Sequence, residues 1–226
     1  NNSYEYLETL CNLFIKNKLD IHWSVYAKIG NLDRHILRKM KEAGCRRLSF
    51  GIESGSNSIL KRMYKGFTAE QASRTLKDAS ELGFKNAICL IAGCPHETEE
   101  DIKQTIDFIR KNRKYIHYPN NIRTFDLTYA SSIHYHPEKY GVTNLTPLQS
   151  RFCFVFDESG GLKWEQKRKQ QTESERQIIK AAIKNDCFSW RPYIFYFYYF
   201  RSFFYFYHFG LFRYIITKIK KVCFSS

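Results

Sequence analysis

The stretch from residue 46 to residue 56 carries the side chains best placed for chemistry. An apolar run leads into Gly51 and Glu53, and a small polar turn at residues 54–56 precedes a helical pattern. This order predicts a strand-to-helix corner with a carboxylate at its tip. Because ligands of α/β sheets and barrels bind outside the carboxyl ends of the strands, we interpret Glu53 as a candidate binding residue.

The surrounding elements predict a parallel sheet. Strand patterns at residues 21–29, 46–53, 84–92 and 122–130 alternate with helical patterns, and the connections are short. An order of strand, helix, strand favours parallel strands joined by right-handed crossovers. An open sheet and a segment of a barrel are indistinguishable at this level.

The helices between these strands carry recognisable start signals. Ser3 and Asp33 are candidate N-caps, and Thr68 with Gln71 forms a capping-box pattern. These signals place helices directly before three of the predicted strands and support the α/β alternation.

The α/β pattern divides the chain into two parts. We predict an α/β domain over residues 1–145 and a mainly helical, aromatic-rich extension over residues 146–226. Residues 192–216 approach the roughly 20 residues that span a bilayer, but Arg201, His208 and Arg213 interrupt them. Packing against a barrel or another domain, contact with a membrane surface, and a true span all remain open.

Composition limits the partners and the setting. The 36 Lys and Arg against 22 Asp and Glu give a net charge of +14, which suits nucleic acid, an anionic membrane face or an acidic ligand. The aromatic residues are massed in one segment and not interleaved with basic ones, which argues against nucleic acid. The basic run at residues 163–169 is interpreted as a solvated surface.

The cysteines indicate a reducing, cytoplasmic setting. Seven cysteines occur without a CxxC pair, a His-rich tract or a signal peptide, which argues against a disulfide framework and a self-contained zinc finger. The chain begins at Asn1 without a Met, so we expect it to be a piece of a longer protein.

Three segments together resemble the radical SAM superfamily, in particular members that often carry a cobalamin-binding domain. The first, residues 44–66, contains Gly-Ile-Glu-Ser-Gly-Ser at 51–56 and ends in Met63, Lys65 and Gly66. The second is residues 91–101, and the third is residues 21–32. Their order and spacing match the family over roughly residues 1–140.

The resemblance implies a partial (β/α) barrel, here truncated to about four parallel strands with a C-terminal helical extension. In this family a CxxxCxxC loop after the first strand holds a [4Fe–4S] cluster, and SAM (S-adenosylmethionine) chelates its remaining iron. The chain contains no CxxxCxxC. We therefore expect the cluster ligands upstream of Asn1, the alternative being that they are absent.

The resemblance also assigns cofactor-binding residues. Glu53 matches the residue that contacts the methionyl part of SAM, Ser54 and Ser56 add hydroxyls, and Lys65 matches a basic partner of the SAM carboxylate. Lys28 lies where many relatives have Arg and could reach SAM or the substrate.

The second matching segment implies the adenine contacts. Ile91 matches the apolar position beside adenine, and Gly93 would permit close approach to the nucleoside. Cys89 replaces a ribose-binding Asp and is interpreted as a small buried residue. Cys94 could be catalytic or ligate an auxiliary cluster, although no second ligand lies at the right spacing, and His96 could donate a proton. No catalytic residue or metal ligand is assigned.

These expectations define the leading hypothesis, a fragment of a radical SAM enzyme. With upstream residues it would use SAM and a [4Fe–4S] cluster, with cobalamin where such a domain precedes, to form a 5′-deoxyadenosyl radical or transfer a methyl group. Its partners would be a small-molecule or lipid-like organic substrate and a reductant such as a flavodoxin or ferredoxin.

Two alternatives stay open at this stage. One is a cluster-free pseudoenzyme or membrane-surface binding module that uses residues 192–216. The other is an ordinary (β/α) barrel enzyme with a phosphate-type ligand, but no GxxxxGK loop is present.

Overall fold

The structure is a computed structural model, and it describes residues 2–30, 32–148 and 152–184. Everything described below belongs to one compact unit, which lies within residues 1–188. The aromatic segment at residues 192–216 lies outside the described residues.

A parallel four-stranded sheet forms the centre of this unit. Its strands are β1 (Trp23–Ala27), β2 (Cys45–Glu53), β3 (Lys85–Ala92) and β4 (Tyr118–Thr124), in the order β1-β2-β3-β4. All three strand pairings are parallel. The predicted parallel α/β architecture with about four strands is therefore confirmed, although the fourth strand begins four residues earlier than predicted.

Helices precede or connect these strands, and two of the three predicted start signals are confirmed, whereas the first helix begins at Asn2 and the predicted N-cap Ser3 lies inside it. The helices are α1 (Asn2–Lys16), α2 (Arg34–Glu42), α3 (Asn57–Arg62), α4 (Ala69–Glu81) and α5 (Glu99–Asn112), followed by a 3-10 turn at Arg113–Tyr115. Asp33 caps α2, and Thr68 with Gln71 forms the predicted capping box of α4. Thr98 and Asp101 form a second capping box at the start of α5.

The two faces of the sheet differ in how they are covered. Leu48, Phe50 and Ile52 alternate along β2 into a core shared with the helices, and all three are fully buried. Side chains alternate between the faces of a strand, so the intervening positions lie on the opposite face. Near the carboxyl ends, that face is only partly covered. We call it the open face, and its residues there are Tyr26, Gly51, Glu53, Cys89 and Ile91.

A second, antiparallel sheet was missed from the sequence. Its strands are β5 (Leu127–Thr128), β6 (Val142–Leu148) and β7 (Cys153–Glu158) in the order β5-β7-β6, with α6 (Ser132–Tyr135) and a 3-10 turn (Pro137–Tyr140) between β5 and β6. The prediction of a mainly helical extension from residue 146 is therefore wrong for the part that β6 and β7 occupy. β6 lies at the edge of this sheet, where its Pro147 is tolerated. The predicted domain boundary at 145–146 falls inside β6.

The last described helix, α7 (Trp164–Lys184), packs against α5, β3, β4 and β7. Its Ile178 and Ala182 belong to the same core cluster as the sheet. The C-terminal helix therefore completes the main core of the unit. Among the described residues, no helix has the length and apolar character needed to cross a bilayer.

Candidate functional site

A loosely bonded ion pair lies on the open face at the carboxyl end of β2. Lys65 Nζ is 3.4 Å from Glu53 Oε1, and the two side chains are 24% and 16% exposed. A partly exposed pair at this distance contributes little to stability. Both charges can therefore exchange their mutual contact for charged groups of a ligand.

The backbone of β2 directs the carboxylate onto this face. Glu53 has a φ of 71°, a region that non-glycine residues seldom occupy, and the β2–β3 register shifts between Gly51 and Glu53. A bulge of this kind re-aims side chains. The carboxylate folds back over Gly51, where a Cβ would lie 2.7 Å from Glu53 Oε1 and 3.7 Å from Lys65 Nζ. Gly51 therefore leaves room for both charged groups.

The two predicted serines are directed into the protein. Ser54 Oγ and Thr105 Oγ1 of α5 are 3.0 Å apart, and Ser56 Oγ donates to Asp101 of α5. Both serines are fully buried, so the structure does not bring their hydroxyls to the open face. They attach the corner after Glu53 to α5, which fixes the position of the carboxylate.

Asp101 is the acceptor that holds this corner. Burial alone would raise the pKa of its carboxyl, but the hydrogen bonds from Ser56 and Thr98 outweigh burial and leave the pKa below its usual value. Asp101 therefore stays ionised as the acceptor for both hydroxyls.

Ile91 and Lys28 lie at the same edge of the sheet as Glu53. Ile91 is half-buried on the open face of β3 and pairs in register with Arg123 of β4. Lys28 is exposed directly after the carboxyl end of β1. An apolar side chain and a further cation thus lie at the same edge of the sheet as the Glu53–Lys65 pair.

Gly93 is packed against α7. Its φ is 77°, and a Cβ there would overlap the side chain of Gln171. The packing of α7 on this position therefore requires a residue without a Cβ. Contact between Gly93 and a nucleoside stays a prediction.

The loop after β3 also contains buried groups. Cys94 is 2% exposed, its thiol lies 3.6 Å from Met63 Sδ, and burial raises the pKa of that thiol well above its usual value. His96 Nε2 lies 2.8 Å from the main-chain oxygen of Gly141. Its proposed role as a proton donor stays a prediction.

Glu97 lies in the loop just before α5, where an acidic residue favours the helix dipole. In the structure its carboxyl is buried and accepts a hydrogen bond from the Gly93 amide. Burial raises the pKa of Glu97 to about 7. Glu97 thus closes the loop from within through its bond to Gly93, a role that its position near the helix start does not predict.

Lys167 corrects the interpretation of the basic run at residues 163–169 as a solvated surface. Its side chain is fully buried and pairs with Glu158 of β7 at 2.7 Å. Only the position of Glu158 in the missed strand β7 could have shown that this lysine is internal.

The described residues do not fit an iron–sulfur cluster. Such a cluster requires several thiolate ligands together, and within the described ranges no three His, Cys, Asp or Glu residues lie close enough to hold a metal ion. By contrast, the open face fits SAM, which carries an ammonium, a carboxylate and an adenine. Glu53, Lys65 and Ile91 offer a partner for each of these groups.

Residues 2–109 match the family model described as the Radical SAM superfamily. Over this segment the chain is similar to that superfamily, as the sequence motifs predicted, and members of the superfamily use SAM and a [4Fe–4S] cluster.

The matches to similar proteins cover only part of the length of each of those proteins. An uncharacterized methyltransferase of Pyrococcus horikoshii is 37% identical over 41% of this chain and 20% of its own length. A putative methylthiotransferase of Methanocaldococcus jannaschii is 36% identical over 47% of this chain and 23% of its own. The matched part thus spans about a fifth of these curated relatives.

A solved structure supports the fold. Coproporphyrinogen III oxidase (HemN) from Escherichia coli, described as a radical SAM enzyme, matches with a TM-score of 0.53 and 18% identity over 80% of this chain and 37% of that chain. At this identity the match concerns the fold alone, and it extends beyond the segment that the family model covers.

Proposed function

We propose that the open face binds SAM, with the amino-acid end of the cofactor between Glu53 and Lys65. The observation that carries this proposal is the loose, partly exposed Glu53–Lys65 pair at the carboxyl end of β2. In the bound state the Glu53 carboxylate accepts hydrogen bonds from the ammonium of SAM, and the Lys65 ammonium donates to its carboxylate. Both bonds are charge-assisted, the stronger class of hydrogen bond.

The neighbouring residues orient the rest of the cofactor. Ile91 packs against adenine, and Gly51 leaves room for the methionyl chain above β2. Lys28, at the carboxyl end of β1, is available to SAM or to an anionic group of the substrate. Ser54 and Ser56 contribute indirectly, because their bonds to α5 hold Glu53 in place.

The whole protein is proposed to be a radical SAM enzyme of the cytoplasm. When bound, SAM supplies either a transferable methyl group or a 5′-deoxyadenosyl group for radical chemistry. The names of the similar methyltransferase and methylthiotransferase support group transfer. The acceptor is proposed to be an organic substrate, small or lipid-like. A flavodoxin or ferredoxin would supply electrons. Cobalamin would take part where a cobalamin-binding domain accompanies the chain.

Calorimetric titration of SAM into the full-length protein tests the binding site. Lys65→Met should raise the dissociation constant about tenfold, because a hydrogen bond to a charged group contributes about 1.5–3 kcal/mol. Lys61→Met removes the same charge from an exposed position on α3 and should leave the constant unchanged. Equal effects of the two variants would mean that general charge, and not this pair, attracts SAM.

The carboxylate has its own test. Glu53→Gln should also weaken SAM binding about tenfold, since it removes the negative partner of the ammonium. Glu42→Gln at an exposed position serves as the control. Unchanged binding of SAM to both Glu53→Gln and Lys65→Met would overturn the proposed site.

A further inference from the structure

Three side chains on one face of α7 bind the main chain of the loop after β3, residues 93–97. Each donates to one carbonyl oxygen of the loop: Gln171 Nε2 to Gly93 (3.1 Å), Lys167 Nζ to Cys94 (2.7 Å) and Gln170 Nε2 to Glu97 (3.0 Å). Positions 167, 170 and 171 share one helix face. The loop is therefore held along its length by a single helix.

The charge of Lys167 is balanced within the same network. Its ammonium also contacts Glu158 Oε1 at 2.7 Å, and that oxygen accepts the amide of His96 at 2.6 Å. Two ions removed from water gain little net stability from their pairing, whereas the loss of one partner is costly. The pair therefore fixes one arrangement of the loop more than it stabilises the fold.

The loop in turn contacts both sides of the proposed cofactor site. It begins directly after β3, two residues beyond Ile91. On its other side the Cys94 thiol touches Met63, two residues before Lys65. A displacement of the loop would therefore shift the adenine contact and the turn that carries the lysine together.

We infer that Lys167, Gln170 and Gln171 of α7, with Glu158 of β7, are positioning residues for SAM binding, because they fix the loop between Ile91 and the turn that carries Lys65. This inference rests on the proposed function. It makes the C-terminal helix a working part of the cofactor site, although none of its residues touches SAM.

Gln171→Met in the full-length protein is the most direct test. Met preserves the size of the buried side chain but removes the hydrogen bonds to the oxygens of Gly93 and Phe125. Amide hydrogen exchange of residues 89–98 should become about fivefold to tenfold faster, and the SAM dissociation constant should rise about fivefold, as expected for one or two lost hydrogen bonds. Gln177→Met, exposed on the same helix, should change neither.

A second variant tests the same inference if Gln171→Met fails to fold. Lys167→Met combined with Glu158→Gln removes both charges without leaving either one buried alone, and it should also accelerate exchange of the loop and weaken SAM binding. If exchange becomes faster while the dissociation constant stays that of the unsubstituted protein, the inference is wrong and the network is only structural. Failure of the unsubstituted protein to bind SAM would instead overturn the proposed function.

Discussion

Two of the Glu–Lys pairs among the described residues differ in distance and in exposure to solvent. Glu53 and Lys65 lie 3.4 Å apart and are partly exposed, whereas Glu158 and Lys167 lie 2.7 Å apart and are sealed from solvent. Water screens the first pair, so its charges remain available to a ligand. The charges of the second pair are bonded within the protein, and they bind the loop beside the site. The comparison separates charges that recognise a ligand from charges that hold the recognising groups in place.

The largest effect should come from breaking the sealed pair. Lys167→Met leaves Glu158 buried without its partner, which should lower the free energy of unfolding by about 3–5 kcal/mol. The double variant with Glu158→Gln should recover a large part of this loss. Urea denaturation of the two variants measures both values. A loss below about 1 kcal/mol in the single variant would show that the pair is solvated, contrary to the structure.

A glycine next to the sealed pair should be almost as sensitive. Gly93→Ala introduces a Cβ into Gln171 at a φ of 77°, whereas Gly66→Ala introduces one into open space at a φ of 74°. Both variants bear the strain of positive φ, about 1 kcal/mol, and Gly93→Ala adds overpacking of about 1–3 kcal/mol. The difference between their thermal midpoints isolates the contact with α7. Equal midpoints would contradict the packing of α7 on the loop.

The pH dependence of stability should report the buried carboxyl of this loop. Because the pKa of Glu97 is about 7 in the folded protein and near 4.5 when unfolded, its contribution is fully present below about pH 4.5. It is lost as the pH rises through about 7. Glu97→Gln should remove this decline, which amounts to at most about 3 kcal/mol.

Urea midpoints between pH 4.5 and 8 for the unsubstituted protein and Glu97→Gln give this difference directly. Glu99→Gln, exposed in the first turn of α5, is the matched control and should retain the decline. A parallel pH profile in Glu97→Gln would assign the decline to another group.

The smallest effect on stability should come from the exposed pair. Lys65→Met should lower the free energy of unfolding by less than about 1 kcal/mol, even though it should weaken SAM binding about tenfold. Urea denaturation without SAM, set beside the calorimetric titration, measures the two quantities separately. A large loss of stability would place this pair in the same class as Glu158 and Lys167.

Local patterns were sufficient to predict the sheet and much of its surroundings. Apolar periodicity and capping residues such as Thr68 act over a few positions, so the sequence alone indicates the elements they form. The corner at Glu53 was also predicted from its neighbours. Its pairing with Lys65 was not predicted, because no local pattern brings residues twelve apart into contact across a turn, and the family resemblance assigned each of the two residues only to SAM.

The features that were not predicted from the sequence depend on tertiary contacts. Ser54 and Ser56 have the composition of a ligand-binding turn, yet Thr105 and Asp101 draw their hydroxyls inward. Lys167 lies in a basic run that resembles solvated surface, and only β7 supplies its partner. Charged and hydroxyl side chains follow whichever partner the fold brings near, and that partner is distant in the sequence.

The buried thiol of Cys94 makes the opening rate of the loop measurable. Thiolate is the species that alkylating reagents attack, and burial disfavours it at this position. Alkylation of Cys94 therefore requires the contact with Met63 to open, whereas Cys89 is half-buried on the open face. At saturating reagent, the labelling rate of Cys94 equals the opening rate of the loop, a kinetic quantity that no static distance provides.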